Sequence, residues 1–307
     1  MKKRKRKAAR SLRRLQRRVG RVRQGICRLL ERPRPYEAGI LIRKEGAARG
    51  GERLALFAHY DRDNRVDDYV IYYLKSLRES GAEILFISSA EGMGEEELER
   101  VAPYCREMIV RRNIGYDFGS WKCGLDLCRG ELENYGTLLL CNDSVYAPLF
   151  GWEKLFEAME GREECDFWGI TDNYHKSWHL QSYFLAFSRE VAESRVFREF
   201  WSDFVVYRCK KSIIEAYEIG LSRRLSSAGF QGCSYCRSEV LIPGSTANVT
   251  HKGWRELIEK CGAPVLKVEL LRDNPTGVEI GEWEEVVETF GSYDTGMIRR
   301  HLQRMKG

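Results

Sequence analysis

Short apolar segments alternate with amphipathic segments between residues 53 and 141, and this order constrains the fold more than any other feature of the chain. Apolar runs typical of buried strands occupy residues 53–60, 83–88, 107–111 and 137–141. Patterns with helical spacing separate them, at residues 67–80, 95–105 and 120–131. Because a helix that connects two strands returns the chain to a parallel neighbour, this order predicts an α/β fold with a mostly parallel sheet flanked by helices.

Polar residues follow the first and the last of these predicted strands. The first ends in His59-Tyr60-Asp61, and the last leads into Asn142-Asp143-Ser144. Open α/β sheets bind ligands at the carboxyl ends of their strands, and a carboxylate there can hold a divalent cation against a diphosphate. We therefore predict that Asp143 is a catalytic residue and a ligand of Mg²⁺ or Mn²⁺. The substrate that carries the diphosphate, called the donor below, would be bound by His59, Tyr60, Asp61 and Asn142. An ordinary Asx-turn is the alternative for the triplet, and its single carboxylate also permits a metal-independent reaction.

A glycine-containing loop, Asn113-Ile114-Gly115-Tyr116-Asp117-Phe118-Gly119, precedes the third predicted helix. Its glycines allow the backbone to approach a ligand closely, and the N-terminus of a helix suits a diphosphate. The loop therefore predicts further donor-binding residues at Asn113, Gly115, Tyr116 and Asp117. It lacks the G-x-G-x-x-G pattern, so we do not expect a dinucleotide site of the Rossmann type.

A later helical segment contains a candidate general base. Residues 215–229 resemble the E-D-x-x-L-x-x-R-x-x-x-x-G helix start of inverting glycosyltransferases, with Glu218 at the carboxylate position and Tyr217 in place of the preceding acid. A base is needed because an acceptor hydroxyl must lose its proton as it attacks. Glu215 is the alternative base, and a glutamate on an ordinary helix surface is the alternative to both.

Aromatic and polar residues cluster at Trp178, His179, Gln181 and Ser182. Such side chains bind sugars through ring faces and hydrogen bonds, so the cluster predicts acceptor or sugar binding; the alternative is the packed entrance of a strand. His251 is a candidate metal or phosphate ligand, although a lone histidine is more often structural.

The charge is distributed unevenly along the chain. The net charge is +6, but residues 1–34 carry sixteen Lys or Arg and one acidic residue, which leaves the remainder acidic. Within this segment an apolar face recurs at intervals of three and four residues, at Leu12, Leu15, Val19, Val22, Ile26 and Leu29. A basic helix with a narrow apolar face suits an anionic membrane surface. Pairing with another helix and binding to nucleic acid are the alternatives.

These patterns divide the chain into a basic arm (residues 1–35), a linker (36–52), a catalytic domain (53–276) and a C-terminal helical segment (277–307). No apolar run approaches the ~20 residues that span a bilayer, and the basic arm lacks the apolar core of a secretory signal. The ten cysteines show no disulfide framework and are expected to be reduced thiols. We therefore expect a cytoplasmic protein that is peripheral at the inner face of the cell membrane.

Several motifs together resemble the rhamnan synthesis protein F family of bacterial polysaccharide glycosyltransferases. They span roughly residues 53–276 and occur in the family's order. The matching stretches are Arg112-Asn113-x-Gly115-Tyr116-Asp117-Phe118-Gly119, Leu140-x-Asn142-Asp143-Ser144-x-Tyr146-x-Pro148, Asp166-Phe167-Trp168-Gly169, His179-Leu180-Gln181-Ser182-Tyr183-Phe184, and then Trp254, Pro264, Lys267, Arg272, Asn274 and Pro275.

The resemblance implies a GT-A-like fold, a dTDP- or UDP-linked sugar donor, with L-rhamnose as the name-giving sugar, and a cell-surface polysaccharide or lipid-linked glycan as the acceptor. Combined with the motifs, it leads us to expect an inverting glycosyltransferase in which Glu218 deprotonates the acceptor and Asp143 holds the metal. The basic arm would bind the membrane, and no nucleic acid partner is then expected. The alternatives are an inactive sugar-binding scaffold of a polysaccharide synthase complex and a nucleic-acid-binding protein that uses the arm.

Overall fold

A computed structural model describes residues 33–306 of the chain. The helix predicted in the basic arm, and the membrane contact predicted for residues 1–34, lie almost entirely outside the described residues. In the part of the chain that is described, no helix is both long enough and apolar enough to cross a membrane.

The strands and helices alternate through the first half of the described chain and become shorter in the second half. In chain order, the strands are β1 (Arg34–Pro35), β2 (Ile40–Glu45), β3 (Arg53–His59), β4 (Ala82–Ser88), β5 (Glu107–Arg111), β6 (Thr137–Asn142), β7 (Val145–Tyr146), β8 (Phe167–Asn173), β9 (His179–Leu180), β10 (Phe184–Ser188), β11 (Val205–Val206), β12 (Gly232–Cys236) and β13 (Leu266–Lys267).

The helices are α1 (Asp68–Glu79), α2 (Glu95–Val101), α3 (Tyr116–Leu127), α4 (Glu153–Glu160), α5 (Arg189–Glu193), α6 (Arg195–Ser202), α7 (Lys210–Ile213), α8 (Ile219–Ser227), α9 (Ser238–Leu241), α10 (Val249–Lys252), α11 (Trp254–Glu259), α12 (Val268–Asp273), α13 (Trp283–Phe290) and α14 (Thr295–Lys306). A 3₁₀ turn spans Leu132–Asn134, and a π-helical turn, Ile214–Glu218, joins α7 to α8.

A nine-stranded sheet forms the centre of the molecule, in the order β12-β8-β10-β6-β3-β4-β5-β2, with β9 paired to β8. The strands β3, β4, β5, β6, β8 and β12 run in one direction, whereas β2, β9 and β10 run in the other. Helices pack on both faces of this sheet. The predicted fold class, an α/β fold with a mostly parallel sheet between helices, is therefore confirmed.

Alternate residues of the central strand β3 enter different hydrophobic cores. Phe57 packs with Tyr73 of α1 in the core that also contains Trp152, whereas Leu56 lies in the core that contains Trp121 of α3. A strand covered on both faces reads as a continuous apolar run, which is why β3 was visible in the sequence. The indole Nε1 of Trp121 donates to the backbone oxygen of Cys141 at 3.1 Å and ties α3 to β6.

The predicted linker, residues 36–52, contributes strand β2 to the edge of the sheet. This strand pairs with β5 in the antiparallel direction. Its side chains include the exposed Ile40 and Leu41, at 39% and 45% exposure, followed by charged residues. An edge strand of this kind lacks the buried apolar run from which the other strands were predicted.

The sequence predicts that helix α3 starts at residue 120, after the glycine-containing loop. In the structure, α3 begins earlier, at Tyr116. Gly115 caps the helix in a left-handed conformation with φ +83°. Gly119 lies inside the first turns of α3. Only glycine fits at this position, because a Cβ would come within 2.0 Å of the backbone oxygen of Ile114. Here glycine meets a packing requirement and does not mark a loop. Farther on, Ser194 separates α5 from α6 and caps α6 through its hydroxyl, and the short strand β11 follows α6.

Candidate active site

A pocket of about 580 Å³ opens at the carboxyl ends of the parallel strands β3 and β6. Most of the predicted site residues line it: His59, Tyr60, Asp61, Tyr116, Asp117, Asn142, Asp143, Gln181, Ser182 and Glu218. Five others do not: Asn113, Gly115, Trp178, His179 and His251. The long-range packing of the chain therefore brings most of the separate sequence motifs to one cavity.

Asn142 joins two of the motifs that were predicted independently. Its Nδ2 donates to Oδ2 of Asp117 at 2.9 Å. Its Oδ1 accepts from the backbone N–H and the hydroxyl of Ser144, so the triplet does form an Asx-turn. The Asx-turn does not exclude a role in the site, because it fixes the side-chain amide of Asn142, which in turn orients Asp117.

Asp143 is held at the end of β6 by a backbone contact. Its Oδ2 accepts from the backbone N–H of Tyr60 at 2.9 Å. Burial raises its pKa well above the ordinary value, and the nearby charges of Asp117 and Asp61 raise it further. His59 lies 3.9 Å away, but burial lowers the pKa of that ring to about 4, so it is neutral at pH 7. Among residues 33–306, no lysine or arginine forms an ion pair with Asp143.

Asp61 occupies the same sheet edge but is held by the C-terminal helix. Arg304 of α14 donates to its Oδ2 at 2.5 Å, and the backbone N–H groups of Asp63 and Arg65 donate to its Oδ1 at 2.9 and 3.1 Å. Burial alone would raise the pKa of Asp61, but the hydrogen bonds from Arg304 and the backbone lower it below its ordinary value. Asp61 is therefore positioned to anchor α14.

Glu218 projects into the pocket from the π-helical turn. Its Oε2 accepts from the backbone N–H of Ser182 at 3.1 Å and also from the Ser182 hydroxyl. Its Oε1 lies 3.7 Å from Nε2 of His179, so His179 is next to Glu218 although it does not line the pocket. π-Helical turns occur frequently at functional sites. The alternative base, Glu215, forms an ion pair with Lys176.

Lysine residues that the sequence did not assign to the site also line the pocket. A short ladder between β7 and β13 places Lys267 beside the triplet, where its Nζ donates to Oγ of Ser144 at 2.8 Å. Burial lowers the pKa of Lys267 to about 8, against the opposing effect of Glu218 and Asp117. Lys210 lines the same pocket from the start of α7. No local signal links Lys267 to residues 142–144, because the contact depends on the ladder.

The predicted residues outside the pocket have contacts of other kinds. Trp178 donates through Nε1 to Oδ2 of Asp172 at 3.1 Å and packs on Phe167, as expected for a packed strand entrance. The backbone N–H of Asn113 donates to Oε1 of Glu91. The buried ring of His251 lies with Nε2 at 3.6 Å from Oε2 of Glu269, and burial lowers its pKa.

The chemistry of Asp143 suits a divalent cation, because its carboxyl group is desolvated and no lysine or arginine among residues 33–306 forms an ion pair with it. The protein offers few further ligands. In the described part of the chain, no group of three or more His, Cys, Asp or Glu side chains could hold a metal ion. A cation on Asp143 would therefore take its other ligands from the donor's diphosphate and from water.

Comparisons with known proteins agree with the motifs. Residues 84–307 match the family described as Rhamnan synthesis protein F, which confirms the resemblance inferred from the sequence. Virulence protein VirA of Vibrio anguillarum (strain ATCC 68554 / 775) is 30% identical over 288 residues, which cover 83% of this chain and 90% of VirA.

Solved structures with a similar fold have low sequence identity to the chain. The galactosyltransferase LgtC, in complex with donor and acceptor sugar analogues, is 11% identical at a TM-score of 0.40, over 80% of this chain and 98% of LgtC. The glycosyltransferase GlyE of Streptococcus pneumoniae TIGR4 is 11% identical at a TM-score of 0.39, over 84% of this chain and 64% of GlyE. Because both TM-scores are low, the site is interpreted from its own residues.

Proposed function

The chain belongs to the rhamnan synthesis protein F family, and from this premise we propose that it is a glycosyltransferase. It would move a sugar from a nucleotide-diphosphate donor to a growing polysaccharide or a lipid-linked glycan. One observation carries the proposal: Glu218, anchored by Ser182, lines the same strand-end pocket as the carboxyl group of Asp143. One cavity thus offers a base for the acceptor hydroxyl and a carboxylate that could hold a metal ion beside the donor.

Glu218 would act as the general base. Ser182 donates both its backbone N–H and its hydroxyl to Oε2 and so fixes the carboxylate. As the acceptor hydroxyl attacks the anomeric carbon, Glu218 takes its proton, the new glycosidic bond forms, and the bond to the diphosphate breaks. The nucleoside diphosphate leaves with the bonding electrons, and a single displacement inverts the anomeric centre.

Asp143 would hold Mg²⁺ or Mn²⁺ against the diphosphate of the donor. A metal ion in this position supplies positive charge that stabilises the departing diphosphate. Asn142 would keep Asp117 directed into the pocket, and the exposed rings of Tyr60 and Tyr116 would offer faces to the base or the sugar. Tyr116 also has a positive φ of +54°, an unusual conformation for a residue with a side chain.

The donor sugar, the acceptor and the cellular location form the more detailed part of the proposal. A dTDP- or UDP-linked sugar, with L-rhamnose as the first candidate, fits the family name. The basic arm, residues 1–34, would bind the anionic inner face of the cell membrane, where each cation near the surface contributes about 1 kcal/mol. Lipid-linked acceptors would reach the pocket from there.

Calorimetric titration of the full chain with a panel of dTDP- and UDP-sugars, with Mn²⁺ and with EDTA, tests the proposal. We expect one nucleotide sugar to bind. If none binds under either condition, the scaffold or the nucleic-acid alternative replaces the transferase. Transfer that continues in EDTA would support the metal-independent alternative.

A transfer assay with the identified donor then tests the base. Removing a general base typically costs about 10²–10⁴-fold in rate, so we expect Glu218→Gln to lose activity on this scale while still binding donor. Glu215→Gln is the discriminating comparison, because Glu215 is ion-paired with Lys176 and should be replaceable at close to the wild-type rate. The reverse pattern would make Glu215 the base.

A further inference from the structure

We propose that Lys267 and Lys210 together form the binding site for the diphosphate group of the donor. This inference rests on the proposed function, because it names the residues that hold one part of that function's substrate. It is independent of the metal on Asp143, since the lysines would contact the diphosphate whether or not a metal is present.

The position of Lys267 is fixed by backbone structure on both sides. Lys267 is opposite Val145 in the β7–β13 ladder, and the backbone N–H of Val268 donates to the oxygen of Ser144 at 3.0 Å. The ammonium group donates to Oγ of Ser144 at 2.8 Å and lies 4.9 Å from the centre of the Tyr183 ring. The side chain is therefore held at the end of β6, next to the residues predicted to meet the donor.

Within the described part of the chain, neither lysine has a carboxylate partner at close range. Among residues 33–306, no carboxylate lies within ion-pair distance of Lys267 or Lys210, although Asp117, Glu218 and Glu269 are near enough to act on Lys267. The positive charge of Lys210 also disfavours the charged form of Lys267 and contributes to the lowering of its pKa. An unpaired cation that is half-buried, as Lys267 is, is costly unless a ligand compensates it.

The same pocket contains unpaired charges of the opposite sign. Asp117 accepts from Asn142 and Asp143 accepts from Tyr60, but in the described residues neither forms an ion pair with a lysine or an arginine. The lysines would bind an anionic group of a ligand. The aspartates would bind the metal ion that accompanies this ligand, where a metal is used. A nucleoside diphosphate provides the anion, with charge on two adjacent phosphates that two lysines can share.

The experiment is a calorimetric titration of the full chain with UDP, dTDP and inorganic pyrophosphate, each in EDTA and in Mn²⁺. Lys267→Met removes the half-buried cation at similar side-chain length, and Lys210→Met removes the exposed one without disturbing the core. Lys154→Met is the matched control, because Lys154 is exposed on α4, away from the pocket. Thermal unfolding of each variant verifies that it is folded.

We expect Lys267→Met to weaken the binding of the nucleoside diphosphate and of pyrophosphate at least tenfold, or about 1.4 kcal/mol. Lys210→Met should weaken both by a smaller factor, and Lys154→Met should leave them unchanged. Wild-type affinity in both pocket variants overturns the proposal. If Lys267→Met does not fold, the exposed Lys210→Met decides alone.

The outcomes also separate this inference from the proposed function. Unchanged binding of a nucleotide sugar by the lysine variants would refute the diphosphate site and leave the transferase intact. Binding of pyrophosphate that depends on Lys267, without binding of any nucleotide or nucleotide sugar, would support the anion site and refute the transferase.

Discussion

The turn after β3, residues 60–67, and the turn after β6, residues 142–144, lie at the same edge of the sheet and present an aspartate to the same pocket. Asp61 in the first turn accepts from Arg304 and from two backbone amides, and its pKa is lowered. Asp143 in the second turn accepts from one backbone amide, and its pKa is raised by burial.

The cations beside the two turns differ in the same way. Arg304 is bound to Asp61, Asp63 and Asp67, whereas Lys267 donates to a hydroxyl in the second turn. Among the described residues, the aspartate of the first turn is thus neutralised by an arginine, whereas the aspartate of the second turn has no lysine or arginine in an ion pair with it. Position at a strand end therefore selects candidate residues, but their partners decide whether they hold the fold or bind a substrate.

The largest effect that would test this contrast is on catalysis. We expect Asp143→Asn to lower the transfer rate by about 10²–10³-fold, because loss of one electrostatic group at the leaving group has that scale. Asp61→Asn should retain most of its activity at saturating donor. Rates measured with excess donor and Mn²⁺ provide the check, and equal losses in the two variants would break the distinction between the turns.

We expect the same two substitutions to have different effects on the free energy of unfolding. Removing the carboxylate of Asp61 leaves Arg304 partly uncompensated, so we expect Asp61→Asn to lower the free energy of unfolding by about 1–3 kcal/mol. Asp143→Asn should leave the free energy of unfolding unchanged or raise it, because the charged form of Asp143 is disfavoured by burial. Urea unfolding at pH 7 in EDTA measures both.

A matched control and a pH series sharpen this result. Asp63 also pairs with Arg304, but its side chain is 47% exposed, so Asp63→Asn should change stability by less than about 0.5 kcal/mol. The lowered pKa of Asp61 means that its contribution is present at neutral pH and is lost as the pH falls below about 4. A loss in Asp143→Asn as large as that in Asp61→Asn would contradict the assignment.

The sequence was sufficient to predict the parallel centre of the sheet and the polar residues at its edge. These features depend on local patterns: apolar runs in strands covered on both faces, and polar residues where the strands end. The strand β2 was missed because an edge strand is only half covered. The start of α3 was misplaced because Gly119 serves close packing within the helix.

The roles within the site could be predicted less well, because they depend on contacts between distant parts of the chain. Nothing near Asp61 indicates that Arg304 will bind it, and nothing near Ser144 indicates Lys267. The sequence grouped Asp61 and Asp143 together as site residues, and only the packing of α14 and of the β7–β13 ladder separates them. Glu218 was predicted from a local motif, but Ser182, which holds its carboxylate, lies in the distant connection between β9 and β10.

The smallest expected effect concerns the pH dependence of donor binding at the second turn. Lys267 has a pKa of about 8 and faces Asp117, Glu218, Glu269 and Lys210. It is charged below that pH and neutral above it, so we expect the affinity for a nucleotide sugar to fall by up to about tenfold between pH 7 and pH 9. The diphosphate of a nucleotide sugar does not titrate in this range, which assigns the change to the protein. Lys267→Met should bind weakly at both pH values, and a decline of the same size in that variant would show that another group causes it.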